Sequence, residues 1–220
     1  MALILNIDTA IDAASVCLSR DAEVLSIAKN EKQKDHAAWL HLAIKEVFEK
    51  NGLELKTIDA IAVTGGPGSY TGLRIGMATV KGVCFALIKP MIILNTLHVM
   101  ANAAKNENAD LLCPMIDARR MEVFTAMYSK DLHTIKEPSA ITLNEKSFDE
   151  ELANHRICFF GNGSNKFHSI KKNENAFFSL IDTDASHMVS LSEDKFRQKE
   201  FADLAYAEPL YLKEFYMPAR

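Results

Sequence analysis

A glycine-rich loop at residues 65–68 is the part of this sequence that most resembles a ligand site. It reads Gly65-Gly66-Pro67-Gly68 and lies between a buried strand pattern and a helix pattern that begins at Thr71. Free backbone amides and the helix dipole at such a junction favour an anion. The loop lacks the Gly-Lys-Ser/Thr of a Walker loop, and Thr71 stands where GxGxxG needs its last glycine. The residues therefore leave open a phosphate site and a sharp structural turn.

An anion bound at this loop would be contacted from the loop, the end of the first strand and the first helical turn. Arg74 lies in that turn, where a cation opposes the helix dipole by about 0.3–1 kcal/mol unless it reaches a carboxylate or a phosphate. Asp8 is the expected partner in a structural ion pair, and a bound anion is the second possibility. The candidate anion or nucleotide contacts are Asp8, Thr9, Gly65, Gly66, Gly68, Ser69 and Arg74.

Glycines also occur inside the following helix, which is predicted over residues 71–87. Each interior glycine costs about 1 kcal/mol relative to alanine, so a packing reason is expected. Gly72 and Gly76 lie four residues apart, and Ala78, Gly82 and Ala86 share the same spacing. Such rows of small residues allow another helix to approach closely. The approaching helix could be residues 35–51 of this chain or a helix of another subunit, and the spacing does not decide between them.

Neither metal chemistry nor nucleophilic catalysis is indicated by the remaining residues. His36 and His41 are five positions apart, about 140° around a helix, and cannot share one ion as histidines at i and i+4 can. The four cysteines are far apart and form no CxxC pair. Residues 68–72 do not have the Gly-x-Ser-x-Gly spacing of a nucleophile elbow, which argues against a peptidase. We predict no metal site.

Composition indicates an ordinary globular chain of 220 residues, 48% of them hydrophobic. No apolar run reaches the roughly 18 residues of a membrane helix, and the start "MALILNIDTA" lacks the basic region and cleavage site of a signal peptide. We therefore predict a cytoplasmic protein that has no membrane partner. The net charge of −4 argues against a chain that grips nucleic acid by itself, so a partner would supply most contacts to any RNA.

The order of predicted elements occurs twice along the chain. Strand patterns at residues 2–8, 13–20 and 23–29 precede a helix at 35–51, a strand, the helix at 71–87 and a strand at 91–94. From residue 111 a similar succession begins again. The polar segment 107–110 predicts two subdomains, 1–105 and 106–220. This order is typical of an α/β, duplicated ribonuclease-H-like (actin/sugar-kinase/Hsp70-like) fold with mixed sheets flanked by helices.

Six segments in this order carry a resemblance to a known family. They are "ILNIDTA", "GGPGSYTGLRIGMATVKGVCFAL", "NTLHVMA", "IDARRMEVFTAMY", "FFGNGS" and "EPLYLK". The chain resembles the TsaB (YeaZ) family over nearly its whole length. The resemblance implies a non-catalytic scaffold or dimerisation subunit of the bacterial machinery that installs threonylcarbamoyl on N6 of the adenosine beside the tRNA anticodon. Three departures stand out: His36-Ala37-Ala38 replaces His-Ser-Glu, Tyr70 replaces phenylalanine, and Lys213 replaces arginine.

The resemblance also implies partners. It predicts pairing with the catalytic paralogue TsaD through the two helices of the N-terminal half, completion of the cycle by the ATPase TsaE, and a homodimer on the same face when the chain is isolated. Contact with tRNA is expected mainly through the complex. No cofactor is predicted, although ATP or ADP binding in the complex is left open. The expected interface residues are His36, Trp39, Leu40, Gly72, Gly76, Thr79 and Val83.

The alternative is an ATP-binding small-molecule kinase or phosphotransferase of the same fold. Asp8 and Thr9, at the first hairpin, would then contact metal and phosphate. The second half offers only "GNGS" for an adenosine pocket, and no paired acidic catalyst is evident. This pattern favours a degenerate member of the fold class, one whose function lies in the surface it presents to other proteins.

Overall fold

The computed structural model describes residues 2–11, 13–30 and 36–213 and divides the chain into two compact units. The first unit comprises Met1–Asn102 and Thr183–Pro209, and the second comprises Ala103–Asp182 and Leu210–Arg220. No helix among the described residues is both long and apolar enough to span a bilayer.

The first unit is built on a five-stranded mixed sheet. Its strands are β1 (Leu3–Asp8), β2 (Ala14–Arg20), β3 (Glu23–Asn30), β4 (Ala60–Thr64) and β5 (Met91–Leu94), and its first helices are α1 (His36–Glu49), α2 (Tyr70–Leu87) and α3 (Thr96–Ala104). The spatial order is β3-β2-β1-β4-β5, with β1 antiparallel to β2 and parallel to β4. Every residue of β1 is buried because helices cover both faces of the sheet.

The second unit repeats this topology. Its strands are β6 (Leu111–Asp117), β7 (Glu122–Ser129), β8 (Thr134–Thr142), β9 (Ile157–Phe160) and β10 (Ala176–Phe178), with α4 (Asp149–Leu152) and α5 (Ser164–Ile170) between them. Read from the meander edge, the order β8-β7-β6-β9-β10 matches the order β3-β2-β1-β4-β5 of the first sheet, strand for strand. The predicted duplicated ribonuclease-H-like fold is therefore confirmed.

Helices α1 and α2 cover one face of the first sheet. Leu5 and Ile7 of β1 point to this face and share a core cluster with Leu40 of α1 and Met77 of α2. The opposite face carries residues of even number from β1, such as Ile4, which pack with α3 and the C-terminal helix. The same alternation along β1 therefore builds two separate cores, one on each side of the sheet.

The C-terminal segment differs from the predicted division, because residues 183–209 belong to the first unit. They form a 3-10 helix, Ala185–Met188, and then α6, Val189–Gln198. Ala185 N donates to Ser15 Oγ at 2.8 Å, and Ser192 Oγ donates to Asn6 Oδ1 at 2.7 Å. Asn6 and Ser15 are buried polar groups on β1 and β2, and such groups need hydrogen-bond partners. The returning segment supplies those partners, which local sequence patterns do not show.

The short helix α3 was not predicted as an element; its start is fixed by Asn95, whose Oδ1 accepts from Leu97 N at 2.9 Å and from His98 N at 3.3 Å. Residue 35, where the first long helix was predicted to begin, lies outside the described residues.

Candidate functional site

The glycine loop lies at the carboxyl end of β4, where it leads into α2. Two of its backbone groups bind the segment around the end of β5: Gly65 N donates to Leu94 O at 2.8 Å, and Gly66 O accepts from Thr96 N at 2.9 Å. Ser69 is the N-cap of α2, and its Oγ accepts from Gly72 N at 3.2 Å. The loop is thus a structural junction that fastens β4 to β5 and starts α2.

The space beneath the loop is filled by the turn that follows β1. Ser69 N donates to Ala10 O at 2.7 Å, and Thr9 Oγ1 donates to Gly72 O at 2.8 Å. A Cβ added to Gly68 would lie 2.2 Å from Ala10 O, and one added to Gly72 would lie 2.0 Å from Thr9 O. These glycines therefore admit the backbone of Thr9 and Ala10, and Ala10 O takes the Ser69 amide at the start of α2.

Gly76 continues the same contact one turn further along α2. A Cβ at this position would lie 2.3 Å from Thr9 Oγ1. The interpretation that Gly72 and Gly76 open the helix to another helix is wrong, because both are buried against Thr9 of the first hairpin. The cost of glycine in the helix interior is offset here by close approach of a strand end.

Asp8 is only 1% exposed and does not face solvent. Its Oδ1 accepts from Ala10 N at 3.0 Å and from Thr64 Oγ1 at 2.8 Å, whereas its buried Oδ2 has no hydrogen-bond partner. Burial raises the pKa of this carboxyl above its usual value, and the charge of Asp184 raises it further, against the lowering effect of the two hydrogen bonds and of His187. Burial thus disfavours the charged form of Asp8 relative to a carboxyl in water.

Arg74 does not make the predicted ion pair with Asp8. Its guanidinium lies 3.9 Å from the centroid of the Tyr70 ring, on the exposed side of the first turn of α2. A cation over an aromatic face is held electrostatically by the ring. Of the predicted anion contacts, the structure thus brings Thr9, Gly68 and Ser69 together around the backbone of Ala10, whereas Gly65 packs against Ile93 of β5 and Arg74 lies over Tyr70.

Nucleophilic and metal-binding groups do not assemble around this loop. Burial raises the thiol pKa to about 12 at Cys17, Cys113 and Cys158 and to about 11 at Cys84, so these cysteines are protonated core residues. Within residues 2–11, 13–30 and 36–213, no three His, Cys, Asp or Glu side chains form a group that could hold a metal ion. Ser69 serves as a helix cap, and no contact among the described residues places a general base beside its hydroxyl.

The predicted partner residues lie at different depths in the first unit. Leu40 is fully buried in the core beneath α1, so its assignment to an interface is wrong. Trp39 and Val83 are half-buried and pack against the same core, and Thr79 is also half-buried. The side chain of His36 lies outside the described residues. Apolar periodicity marked the core side of the two helices rather than their outer side.

The outer side of α1 and α2 carries residues that the sequence reasoning missed. Phe85 is 79% exposed and Leu42 is 69% exposed, and a Cβ at Gly82 would meet nothing within 4 Å. We call the exposed residues Leu42, Ala78, Gly82 and Phe85 the α1–α2 face. The available signal was that Leu42 falls outside the Leu40, Ile44, Val47 spacing of the core side.

Comparisons with known proteins agree on one family. Residues 23–214 match the family model "TsaD: tRNA N6-adenosine threonylcarbamoyltransferase". The chain is 29% identical to a TsaB protein of Buchnera aphidicola subsp. Baizongia pistaciae, over 96% of this chain and 98% of that one. It is 29% identical to TsaB of Escherichia coli, over 96% and 94% of the two chains. Both relatives are named tRNA threonylcarbamoyladenosine biosynthesis proteins.

A solved structure shows the same similarity in three dimensions. A Pseudomonas aeruginosa protein, described as similar to peptidase YeaZ, superposes with a TM-score of 0.86 at 25% identity. The match covers 97% of this chain and 100% of that one. The chain therefore belongs to the TsaD family of tRNA N6-adenosine threonylcarbamoyltransferases, and within it to the TsaB (YeaZ) group.

Proposed function

We propose that this chain is a non-catalytic subunit of the cytoplasmic machinery that forms threonylcarbamoyladenosine in tRNA, and that it acts by binding the catalytic paralogue TsaD. The relatives named for this biosynthesis match it over nearly their full lengths, which supports the pathway. Transfer of threonylcarbamoyl to N6 of adenosine is then the reaction of the paralogue. In this proposal TsaE and tRNA join the assembled complex.

One observation carries the non-catalytic part of the proposal: Thr9 and Ala10 fill the cradle of the glycine loop. The kinase alternative needs Asp8, Thr9 and the glycine loop to be accessible to metal and phosphate. Here Ser69 N is used by Ala10 O, and a buried Asp8 carboxyl with a raised pKa stands at the strand end. These contacts support a structural role for the loop and weigh against the kinase alternative.

The α1–α2 face supports the partner part of the proposal. Phe85 and Leu42 place large apolar side chains in solvent on two helices that cover one face of the same sheet. Ala78 and Gly82 lie four residues apart on the exposed side of α2, and their small size allows a partner helix to approach closely. An exposed aromatic anchor beside small residues is typical of an interface hot spot. We assign this face to the paralogue, and to a second copy of the chain when the paralogue is absent.

The test is binding between the purified chain and the catalytic paralogue encoded in the same genome, measured by calorimetry and size-exclusion chromatography. Phe85→Glu should weaken binding by at least about tenfold, because it buries an unpaired charge in an apolar contact. Leu180→Glu is the matched control, since Leu180 is 97% exposed in the second unit. It should bind as the wild type does.

A reconstituted reaction gives the second readout. Formation of threonylcarbamoyladenosine, followed by mass spectrometry of digested tRNA, should require both the chain and the paralogue and should fall with Phe85→Glu. Wild-type affinity of Phe85→Glu would contradict the assignment of the face. Transfer or ATP hydrolysis by the chain alone would contradict the non-catalytic role and would favour the kinase alternative.

A further inference from the structure

The segment that follows α6 returns to helix α2 and forms a turn at residues 203–207. Ala202 N donates to Met91 O at 2.8 Å, which joins the segment to the edge strand β5. Ala202, Leu204 and Ala207 pack against the core cluster beneath α1 and α2. The turn therefore belongs to the first unit and lies against its helical side.

A lysine of α2 and an aspartate within the turn hold the turn in place. Lys81 Nζ donates to Ala205 O at 3.3 Å and to Ala207 O at 3.2 Å. Asp203 Oδ1 accepts from Ala205 N at 2.8 Å, and Asp203 O accepts from Ala207 N at 2.8 Å. Tyr206 lies between the two residues whose carbonyl groups bind the lysine. Its backbone is therefore fixed to α2 in the isolated chain.

The side chain of Tyr206 points away from this anchored backbone. Tyr206 is 84% exposed, and its side chain makes no hydrogen bond or ring contact with any residue that the structure describes. A tyrosine on a fixed backbone loses little entropy on binding, because only two side-chain torsions remain to be ordered. Its ring is apolar and its hydroxyl is polar, which suits the residue to a protein interface.

The turn borders the α1–α2 face. Successive residues of an α-helix are about 100° apart around its axis, so Lys81 and Phe85 are about 40° apart and lie on the same side of α2. Val83 is about 160° from Lys81 and packs against the core cluster to which α1 contributes. The small residues Ala78 and Gly82 lie between these two sides. The turn held by Lys81 is therefore next to the Phe85 side of the face.

We propose that the turn at residues 203–207 is one wall of the α1–α2 face and that Tyr206 contacts the catalytic paralogue bound there, an inference that rests on the proposed function. The completed surface has Ala78 and Gly82 as its floor and two exposed aromatic residues, Phe85 and Tyr206, along one side. An apolar helix of the paralogue fits this surface, because small residues permit close approach and aromatic side chains cover its flank. Lys81 is then a positioning residue, since it acts through the turn.

Calorimetry with the purified paralogue tests the contact. Tyr206→Ser should weaken binding by about five- to tenfold, because the ring is lost from the interface. The variant should melt at the wild-type temperature, since the side chain contributes no described contact to the fold. Leu180→Ser is the matched control, because it removes an apolar side chain that is 97% exposed in the second unit. It should bind as the wild type does.

Variants of Lys81 test the positioning role. Lys81→Met keeps the length of the side chain but removes the ammonium that holds the turn, so it should weaken binding by about two- to fivefold. Lys81→Arg should bind nearly as the wild type does, because a guanidinium also donates to two carbonyl groups. In the Tyr206→Ser background, Lys81→Met should cause no further loss, since both changes act on one contact.

The outcomes separate this inference from the proposed function. Wild-type affinity of Tyr206→Ser would overturn the inference, as would an equal loss in Leu180→Ser, and additive losses in the double variant would overturn the positioning role of Lys81. If Tyr206→Ser binds normally while Phe85→Glu does not, only the inference fails. If Phe85→Glu binds normally while Tyr206→Ser does not, the proposed role of Phe85 fails and the contact by the turn is supported. A wild-type chain that does not bind the paralogue would overturn both.

Discussion

Asp8 stands at the carboxyl end of the central strand, a position where α/β folds commonly bind ligands. Here the position is closed: the turn after β1 folds under α2, and the segment after residue 183 packs over Ser15, the register partner of Asp8 on β2. Burial without a partner for Oδ2 is expensive for a carboxylate and less so for a neutral acid. The side chain therefore ties β1 to β4 through Thr64 and has no access to a ligand.

This environment predicts a pH dependence of stability. The folded pKa of Asp8 lies above the usual 3.8, so between the two values the folded state holds more protons than the unfolded state. The free energy of unfolding of the wild type should therefore fall as pH rises from 4 to 7, relative to Asp8→Asn. The difference in the free energy of unfolding between the wild type and Asp8→Asn should change by about 1.4 kcal/mol for each unit by which the folded pKa exceeds the unfolded pKa. Urea denaturation at each pH measures this difference.

Asp117→Asn provides a control whose change in stability has the opposite sign and falls mainly below pH 4. Partial burial raises the pKa of Asp117, but its hydrogen bonds to Lys166 and to the Arg119 amide, with the charges of both residues, hold it below 3.8. Its contribution to stability is therefore present above pH 3.8 and is lost as pH falls below it. A gap between Asp8→Asn and the wild type that stays constant from pH 4 to 7 would contradict the assignment of a raised pKa to Asp8.

Helix α2 has two sides with different uses for small residues. Gly72 and Gly76 lie on the buried side against Thr9, whereas Gly82 lies on the exposed side with nothing near its missing Cβ. The first pair permits close packing within the first unit. The third glycine has no packing reason in the isolated chain, which is why we place it on the α1–α2 face.

Replacement by alanine should therefore change stability in opposite directions at Gly76 and Gly82. Gly76→Ala should lower the free energy of unfolding by about 1–3 kcal/mol, because its Cβ would meet Thr9 Oγ1 at 2.3 Å and Val63 Cγ2 at 3.4 Å. Gly82→Ala should raise it by about 0.5–1 kcal/mol, since an exposed helix position favours alanine. Thermal melts of the two variants give the comparison.

A double-mutant cycle identifies the cause. Thr9→Ala removes Oγ1, so Gly76→Ala should cost less in that background than in the wild type. Equal shifts for Gly76→Ala and Gly82→Ala, or an unchanged cost of Gly76→Ala after Thr9→Ala, would show that the contact with Thr9 does not explain the glycine.

Much of the architecture was predictable because burial leaves a direct pattern in the sequence. The continuous apolar run of β1 requires cover on both faces, and the alternation of helices with strands predicts the parallel part of each sheet. Long-range partners leave no such pattern. The spacing of Gly72 and Gly76 looks the same whether a helix or the Thr9 backbone fills the gap, and the return of residues 183–209 depends on lone hydrogen bonds such as Ser192 to Asn6.

The same limit applies to the surface of the molecule. Leu42 and Phe85 are apolar residues that break the helical periodicity, and only the three-dimensional arrangement shows that both remain in solvent. Leu40, which fits the periodicity, belongs to the core instead. Exposed apolar groups on neighbouring helices are costly to leave in water, so the isolated chain should cover them with a second copy of itself.

Because that self-association would use the α1–α2 face, it should compete with binding of the paralogue. Sedimentation velocity of the isolated chain should show a concentration-dependent dimer, and addition of the paralogue in equal amount should replace it by a heterodimer with no larger species containing two copies of this chain. Phe85→Glu should abolish both associations, while Leu180→Glu should abolish neither. A stable homodimer that persists with the paralogue bound would place self-association on another surface. The α1–α2 face would then serve at most one of the two associations.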